Sequence, residues 1–188
     1  MIKVAITGNI ASGKSEVEKK IRDLGYLVFD ADKIAHSCLI NNKDTIVDTF
    51  GSAILLNEEI SREKLGNIVF NDKDKLEKLN SIIHPEVIKE INTLFEHYKD
   101  EHYLFVSVPL LFEAKMENMF DRIIFVYAND TIRLERLMKR NNLSKTDALK
   151  RINSQQSQTE KITKSDFIIK NEGSLEDLTS QLIKIFYT

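Results

Sequence analysis

Gly8-Asn9-Ile10-Ala11-Ser12-Gly13-Lys14-Ser15 decides the fold of this chain. The stretch fits G-x-x-x-x-G-K-[ST], a loop whose backbone wraps a phosphate. Its neighbours supply the context that such a loop requires. Ile2, Val4, Ala5 and Ile6 read as a short buried strand before it, and Val17, Ile21 and Leu24 follow it at helical spacing. A helix that starts at the end of this loop presents unpaired N–H groups and a positive dipole end, both of which attract phosphate. Gly8 and Gly13 allow close backbone approach. Lys14 has the reach for β- and γ-phosphates, and the Ser15 hydroxyl is the kind of ligand that Mg²⁺ takes.

Working outward, the chain of 188 residues carries 27 basic and 29 acidic side chains, a net charge of −2. No overall basic field points to nucleic acid. The single cysteine, Cys38, excludes an internal disulfide and both halves of a CxxC site. It reads as a small side chain at least half-buried. No apolar run approaches the roughly 18–20 residues of a membrane span, and the N-terminus lacks the apolar stretch of a signal peptide. The expected setting is cytoplasmic.

Further strands are expected at Leu27-Val28-Phe29, Tyr103 to Val108, Ile123 to Tyr127 and Phe167-Ile168-Ile169. The near-continuous apolar runs suit a parallel sheet covered on both faces. Between about Asp32 and His97 the chain reads as mainly helical. Ile82, Ile83, Val87, Ile88, Ile91, Leu94, Phe95 and Tyr98 form one apolar helix face, with Pro85 expected in a first turn. Ser174, with Asp177 three residues on, reads as the cap of a last helix. Strands alternating with helices predict a doubly wound α/β fold with right-handed crossovers, its ligands beyond the C-terminal strand ends. The helical stretch after Asp32 is too long for a simple crossover and is expected to be an inserted subdomain.

Several side chains stand out beyond the loop. Asp30 and Asp32 either serve an acceptor hydroxyl or a metal, or cap the next helix. Arg133, Arg136 and Arg140 fall at i, i+3 and i+7; they form either a phosphate-binding lid or a solvated face. His84, before Pro85, is either a substrate contact or a cap or turn residue. Glu113 follows the apolar Pro109-Leu110-Leu111-Phe112 run and serves the cleft or caps a helix. His36, His97 and His102 have no metal-ligand spacing.

Taken together these residues resemble the dephospho-CoA kinase family. The resemblance spans nearly the whole chain: Ile6 through Ser15; Asp30-Ala31-Asp32 with His36; Ile60-Ser61-Arg62-Glu63-Lys64-Leu65, then Val69-Phe70; His84-Pro85; Pro109 to Glu113; Arg136 to Arg140, then Arg151 and Gln155; and Asp166, Asn171 and Gly173. The Pro109–Glu113 run is the most specific of these. The resemblance implies a P-loop kinase fold: a five-stranded parallel sheet flanked by helices, within a single domain over 1–188. Its core would lie at about 1–35, 101–130 and 160–188, its helical acceptor subdomain at about 36–100 and its lid at about 131–159.

The implied reaction is ATP-dependent phosphorylation of the ribose 3′-hydroxyl of dephospho-CoA, with Mg²⁺ as cofactor and no nucleic-acid, membrane or protein partner evident. Lys14, Asp32, Arg136 and Arg140 are the implied catalytic residues. Gly8, Ala11, Ser12, Gly13, Lys14, Ser15, Glu16, Arg140 and Asn171 are expected at ATP, with Ser15 also at the metal. Asp32, His36, Arg62, His84 and Glu113 are expected on the acceptor side. Three positions depart from the family pattern, which usually has glycine at Asn9 and Ala11 and aspartate at Ser107. Asn9 tolerates a left-handed backbone, whereas Ala11 is expected to need an ordinary one. A serine at 107 carries no charge for a metal's outer shell, which puts weight on Asp30 and Asp32. The rival readings are a nucleoside monophosphate kinase, a non-catalytic ATP-binding module and a GTP switch. Asp48-Thr49-Phe50-Gly51 spells D-x-x-G, but no N-K-x-D motif accompanies it.

Overall fold

The fold is taken from a computed structural model, which describes residues 1–186. The chain divides into two compact units, one formed by 1–30 with 99–188 and the other by 31–98.

The first unit is built on a parallel sheet. Its strands are β1 (Ile2–Gly8), β2 (Val28–Asp30), β5 (Tyr103–Ser107), β6 (Arg122–Tyr127) and β7 (Phe167–Lys170), in the spatial order β2-β5-β1-β6-β7. The strands expected from the sequence are all present. Every residue of β5 is buried, as are the last five of β1, because helices shield both faces of such a sheet. The helices of this unit are α1 (Lys14–Asp23), α6 (Asp130–Asn141), α7 (Lys145–Asn153), α8 (Gln158–Ile162) and α9 (Leu175–Phe186). Val17 and Ile21 of α1 join Leu178, Leu182 and Ile185 of α9 over Val4, Ile6, Phe105, Ile124 and Val126 of the sheet. Ser174 caps α9 as expected: its Oγ accepts from the Asp177 amide, and the Asp177 carboxylate accepts in return from the Ser174 amide.

Register places the site. Ile6 pairs with Ser107, Asp30 with Ser107, Gly8 with Val126, and Tyr127 with Lys170. The C-terminal ends of the strands therefore meet along one edge. From β1 to β2 the chain moves two places along the strand order in one direction, and from β5 to β6 two places in the other, so right-handed crossovers run on opposite faces of the sheet. The loop after β1 thus sits where the strand order reverses, the usual ligand position in an open α/β sheet.

The second unit comprises α2 (Ala31–Asn41), α3 (Lys43–Phe50), the antiparallel pair β3 (Leu55–Leu56) and β4 (Glu59–Ile60), α4 (Arg62–Val69) and α5 (Lys73–His97). Two features differ from the sequence expectation. A hairpin interrupts the helices, turned by Asn57 and Glu58, both at positive φ. Pro85 lies inside α5 rather than in a first turn, because Asp72 caps the helix thirteen residues earlier by accepting from the Asp74 and Lys75 amides. Ile83, Val87, Ile91 and Phe95 bury the face of α5 around Pro85, and this packing holds a residue that costs a helix interior about 3 kcal/mol. Cys38 is buried, and burial, then Glu90 and Glu86, raise its thiol above the ordinary range. The D-x-x-G stretch falls in α3 and its cap, not in a loop after a strand. Among the described residues no helix is long and apolar enough to cross a membrane.

Candidate phosphoryl-transfer site

The loop between β1 and α1 turns on Asn9–Ser12, closed by the Ser12 amide donating to the Asn9 carbonyl at 3.0 Å. Ala11, at the corner, has φ 62. This overturns the expectation of an ordinary backbone there. The turn needs a left-handed residue at that point, which costs an L-residue roughly 1–2 kcal/mol. Packing holds the strain: Ile10 and Ala11 sit against Leu137, Ala148 and Ile152. Asn9, the other departure, is not among the positive-φ residues. Its side-chain amide donates to the Gln156 carbonyl at 2.9 Å, and the Ile10 amide donates to Gln155 Oε1 at 2.7 Å. The link between α7 and α8 is thereby fastened to the loop. Gly13 caps α1 at φ 88, and Lys14 and Ser15 open the helix, where first-turn amides have no intrahelical acceptor. Ser12 Oγ is buried without a hydrogen-bond partner among the described residues.

Lys14 reaches the end of β5. Its Nζ lies 2.6 Å from Glu18 Oε1 and also donates to Ser107 Oγ. Ser107 Oγ in turn donates to the same Glu18 oxygen at 2.6 Å. Glu18 and Ser107 are both buried.

On the other flank, Asn171 follows β7 and its Nδ2 donates to the Ser12 carbonyl at 3.1 Å and to Glu16 Oε2 at 3.2 Å. Arg136 of α6 donates to the Ser12 carbonyl at 3.3 Å and to the Asn171 carbonyl at 3.0 Å. Gly8, Ala11, Ser12, Gly13, Lys14, Ser15, Glu16, Arg136 and Asn171 therefore gather around one loop.

A model of the dephospho-CoA kinase family matches residues 2–177. The chain belongs to the dephospho-CoA kinase family. It is 42% identical to a dephospho-CoA kinase of Carboxydothermus hydrogenoformans over 97% of this chain and 91% of that one. A solved dephospho-CoA kinase from Campylobacter jejuni is 34% identical and superposes with a TM-score of 0.75 over 98% of this chain and 95% of that chain. The crystal structure of TT1252 from Thermus thermophilus gives 0.86 at 33% identity over 99% and 96%. The fold is thus that of solved members of this kinase family.

Not every residue singled out from the sequence lies at the loop. Arg133 is not on a solvated face. It is 2% exposed, its Nε donates to the Ile10 carbonyl at 3.0 Å and its Nη1 to Asp130 at 2.8 Å. Burial lowers its guanidinium pKa, and the Asp130 carboxylate opposes that. One turn beyond Arg136, Arg140 is exposed and donates to Asn141 Oδ1. Glu113 neither caps a helix nor stands alone: it accepts at 2.6 Å from Lys161, a buried lysine that the sequence reading passed over. Asp166 accepts from the Ile123 amide and so ties β7 to β6.

Asp32, His36, Arg62 and His84 belong to the second unit. Asp32 lies in the first turn of α2 and is exposed, as is His36 farther along it. Arg62 is the first residue of α4, capped by Ser61. His84 lies within α5 rather than at a cap or turn, and burial lowers its imidazole below the ordinary value. Glu18 was also passed over. Its signal was an acid on the buried side of α1, beside Val17 and four residues after Lys14.

Proposed function

We propose that the chain transfers the γ-phosphoryl group of ATP to the ribose 3′-hydroxyl of dephospho-CoA, giving coenzyme A and ADP, the last step of coenzyme A synthesis. The observation that carries the reading is Lys14, held at the mouth of the loop with its ammonium on the end of β5, in a chain of this kinase family. In this reading the loop amides and Lys14 bind the phosphates, Arg136 bears on the transferred group, and Arg140 closes from α6. Glu16 and Asn171 shape the nucleotide end of the site. Asp32 orients the acceptor hydroxyl and takes its proton as the oxygen bonds to the γ-phosphorus and the bond to ADP breaks. His36, Arg62, His84 and Glu113 serve the acceptor. Phosphoryl transfer demands positioning and charge stabilisation and needs no covalent nucleophile.

Mg²⁺ belongs to the proposal. Among the described residues no group of three or more His, Cys, Asp or Glu is arranged to hold a metal. Mg²⁺ needs less: it keeps waters and substrate phosphates and takes one or two protein oxygens. The Ser15 hydroxyl at the start of α1 and the Asp30 carboxylate at the end of β2 are hard oxygen donors of that kind. Bound there, the ion neutralises phosphate charge.

The test is ADP release on mixing the purified chain, ATP and dephospho-CoA, in wild type and Lys14→Ala. Removing a group that stabilises transition-state charge costs on the order of 2.7–4 kcal/mol, so folded Lys14→Ala should lose turnover roughly 10²–10³-fold. Near-normal turnover in this variant would overturn the assignment.

A further inference from the structure

Glu18 is the one acid among the buried side chains of the described residues. A carboxylate is held in such a place only when it is paired. Its partners all bear on the phosphate loop or its helix: Lys14 Nζ at 2.6 Å, Ser107 Oγ at 2.6 Å and, at its other oxygen, Arg22 Nη2 at 3.7 Å. The serine hydroxyl has one proton, which it donates to Glu18, so its lone pairs face the Lys14 ammonium. The three groups form a closed ring. Two of the three ammonium donors are engaged in it, one on Glu18 and one on Ser107.

We propose that Glu18 is the positioning residue of the phosphate site: its carboxylate, delivered from α1, fixes the Lys14 ammonium against the end of β5, with the Ser107 hydroxyl as the joint. The proposal rests on the kinase reading above. A lysine side chain is long and rich in rotamers, and the ring removes that freedom before a phosphate arrives. The third ammonium donor then serves the transferring phosphoryl group. The geometry also fixes where the negative charge can be attached. Ser107 Oγ already touches Lys14 Nζ, so an aspartate at 107 would bring a carboxylate to the same ammonium from the strand. One carboxylate suffices, from the helix or from the strand. Both at once would crowd two like charges into a buried space.

The experiment is an exchange of the charge between the two positions, with Glu18→Gln, Glu18→Ala, Ser107→Asp and the double variant Glu18→Ala with Ser107→Asp. Two readouts are taken: kcat and KM for ATP in ADP release, and the rate at which an amine-acylating reagent labels Lys14 in the substrate-free chain, followed by mass spectrometry. Glu18→Gln keeps size and hydrogen bonding, so it reads the charge without a packing defect. The proposal expects kcat to fall about 10²-fold in Glu18→Gln and Glu18→Ala, the usual cost of a misplaced reacting group, with KM for ATP nearly unchanged. It expects Lys14 labelling to accelerate in both, the double variant to recover most of the lost kcat and the slow labelling, and Ser107→Asp alone to be impaired. The idea fails if Glu18→Gln is silent in both readouts. It fails equally if the double variant is no better than Glu18→Ala. If wild type leaves dephospho-CoA untouched, the kinase reading fails by itself, and the labelling arm still decides the role of Glu18.

Discussion

Replacing Gly13 by alanine should damage stability and nucleotide binding together, for two separable reasons. The first is the backbone: φ is 88 at Gly13, and a left-handed L-residue costs about 1–2 kcal/mol. The second is space. A Cβ there would stand 1.9 Å from Asn171 Nδ2 and 3.4 Å from Arg136 Nη1. Asn171 would have to leave the Ser12 carbonyl and Glu16, and a buried hydrogen-bonding group left unpaired costs about 1–3 kcal/mol. The sum is about 2–5 kcal/mol, which in a domain of this size lowers Tm by at least about 4 °C. Gly25 is the control, with φ 93 and nothing within 4 Å of its added Cβ. Gly25→Ala should show the backbone cost alone. The assay is thermal melting of both variants, with ADP affinity by calorimetry. Gly13→Ala should melt well below Gly25→Ala and bind ADP weakly. Equal melting temperatures would refute the argument that the loop and Asn171 fit with no room between them.

Ala11→Gly should do the opposite. It relieves a left-handed alanine and is expected to stabilise by up to about 1 kcal/mol, seen as a Tm rise of roughly 2–4 °C; a fall would show that packing of the Ala11 methyl outweighs the strain. Asp32→Asn should lower kcat by about 10²–10⁴-fold with little change in KM for ATP, and Asp30→Asn should be clearly milder; a near-wild-type Asp32→Asn, melting normally, would make Asp32 only a residue of the first turn of α2. Burial holds the His84 imidazole below its ordinary 6.5, so the unfolded chain binds that proton first. The stability it confers is complete above about pH 6.5 and is lost as pH falls through the lowered folded value. His84→Asn should therefore flatten the decline of Tm between about pH 7 and 5, and an unchanged decline would assign it to other groups.

The legible parts of this fold were those written in local pattern. The loop states its own geometry, and β1, β5 and β6 are apolar runs too continuous for anything but a doubly covered sheet. What escaped depends on contacts distant in sequence. Pro85 looks like a helix start until the buried Ile83, Val87, Ile91 and Phe95 are seen to hold α5 through it. The β3–β4 hairpin turns on Asn57-Glu58, and a glutamate at positive φ gives none of the glycine signal that marks such turns. Arg133 has the spacing of a surface arginine, and only the Ile10 carbonyl and Asp130 explain its burial. At the site, the loop residues were readable, but the serine at 107 looked like a lost charge. Glu18, 89 residues earlier, brings a carboxylate to that same hydroxyl.

The most direct measurement is an acceptor panel. Purified chain with ATP is supplied with dephospho-CoA or with each nucleoside monophosphate in turn, ADP release is followed, and the product is identified by mass and by ³¹P resonance. The account predicts rapid turnover with dephospho-CoA alone and a product carrying a new 3′-phosphomonoester. Turnover with a nucleoside monophosphate and none with dephospho-CoA would contradict it.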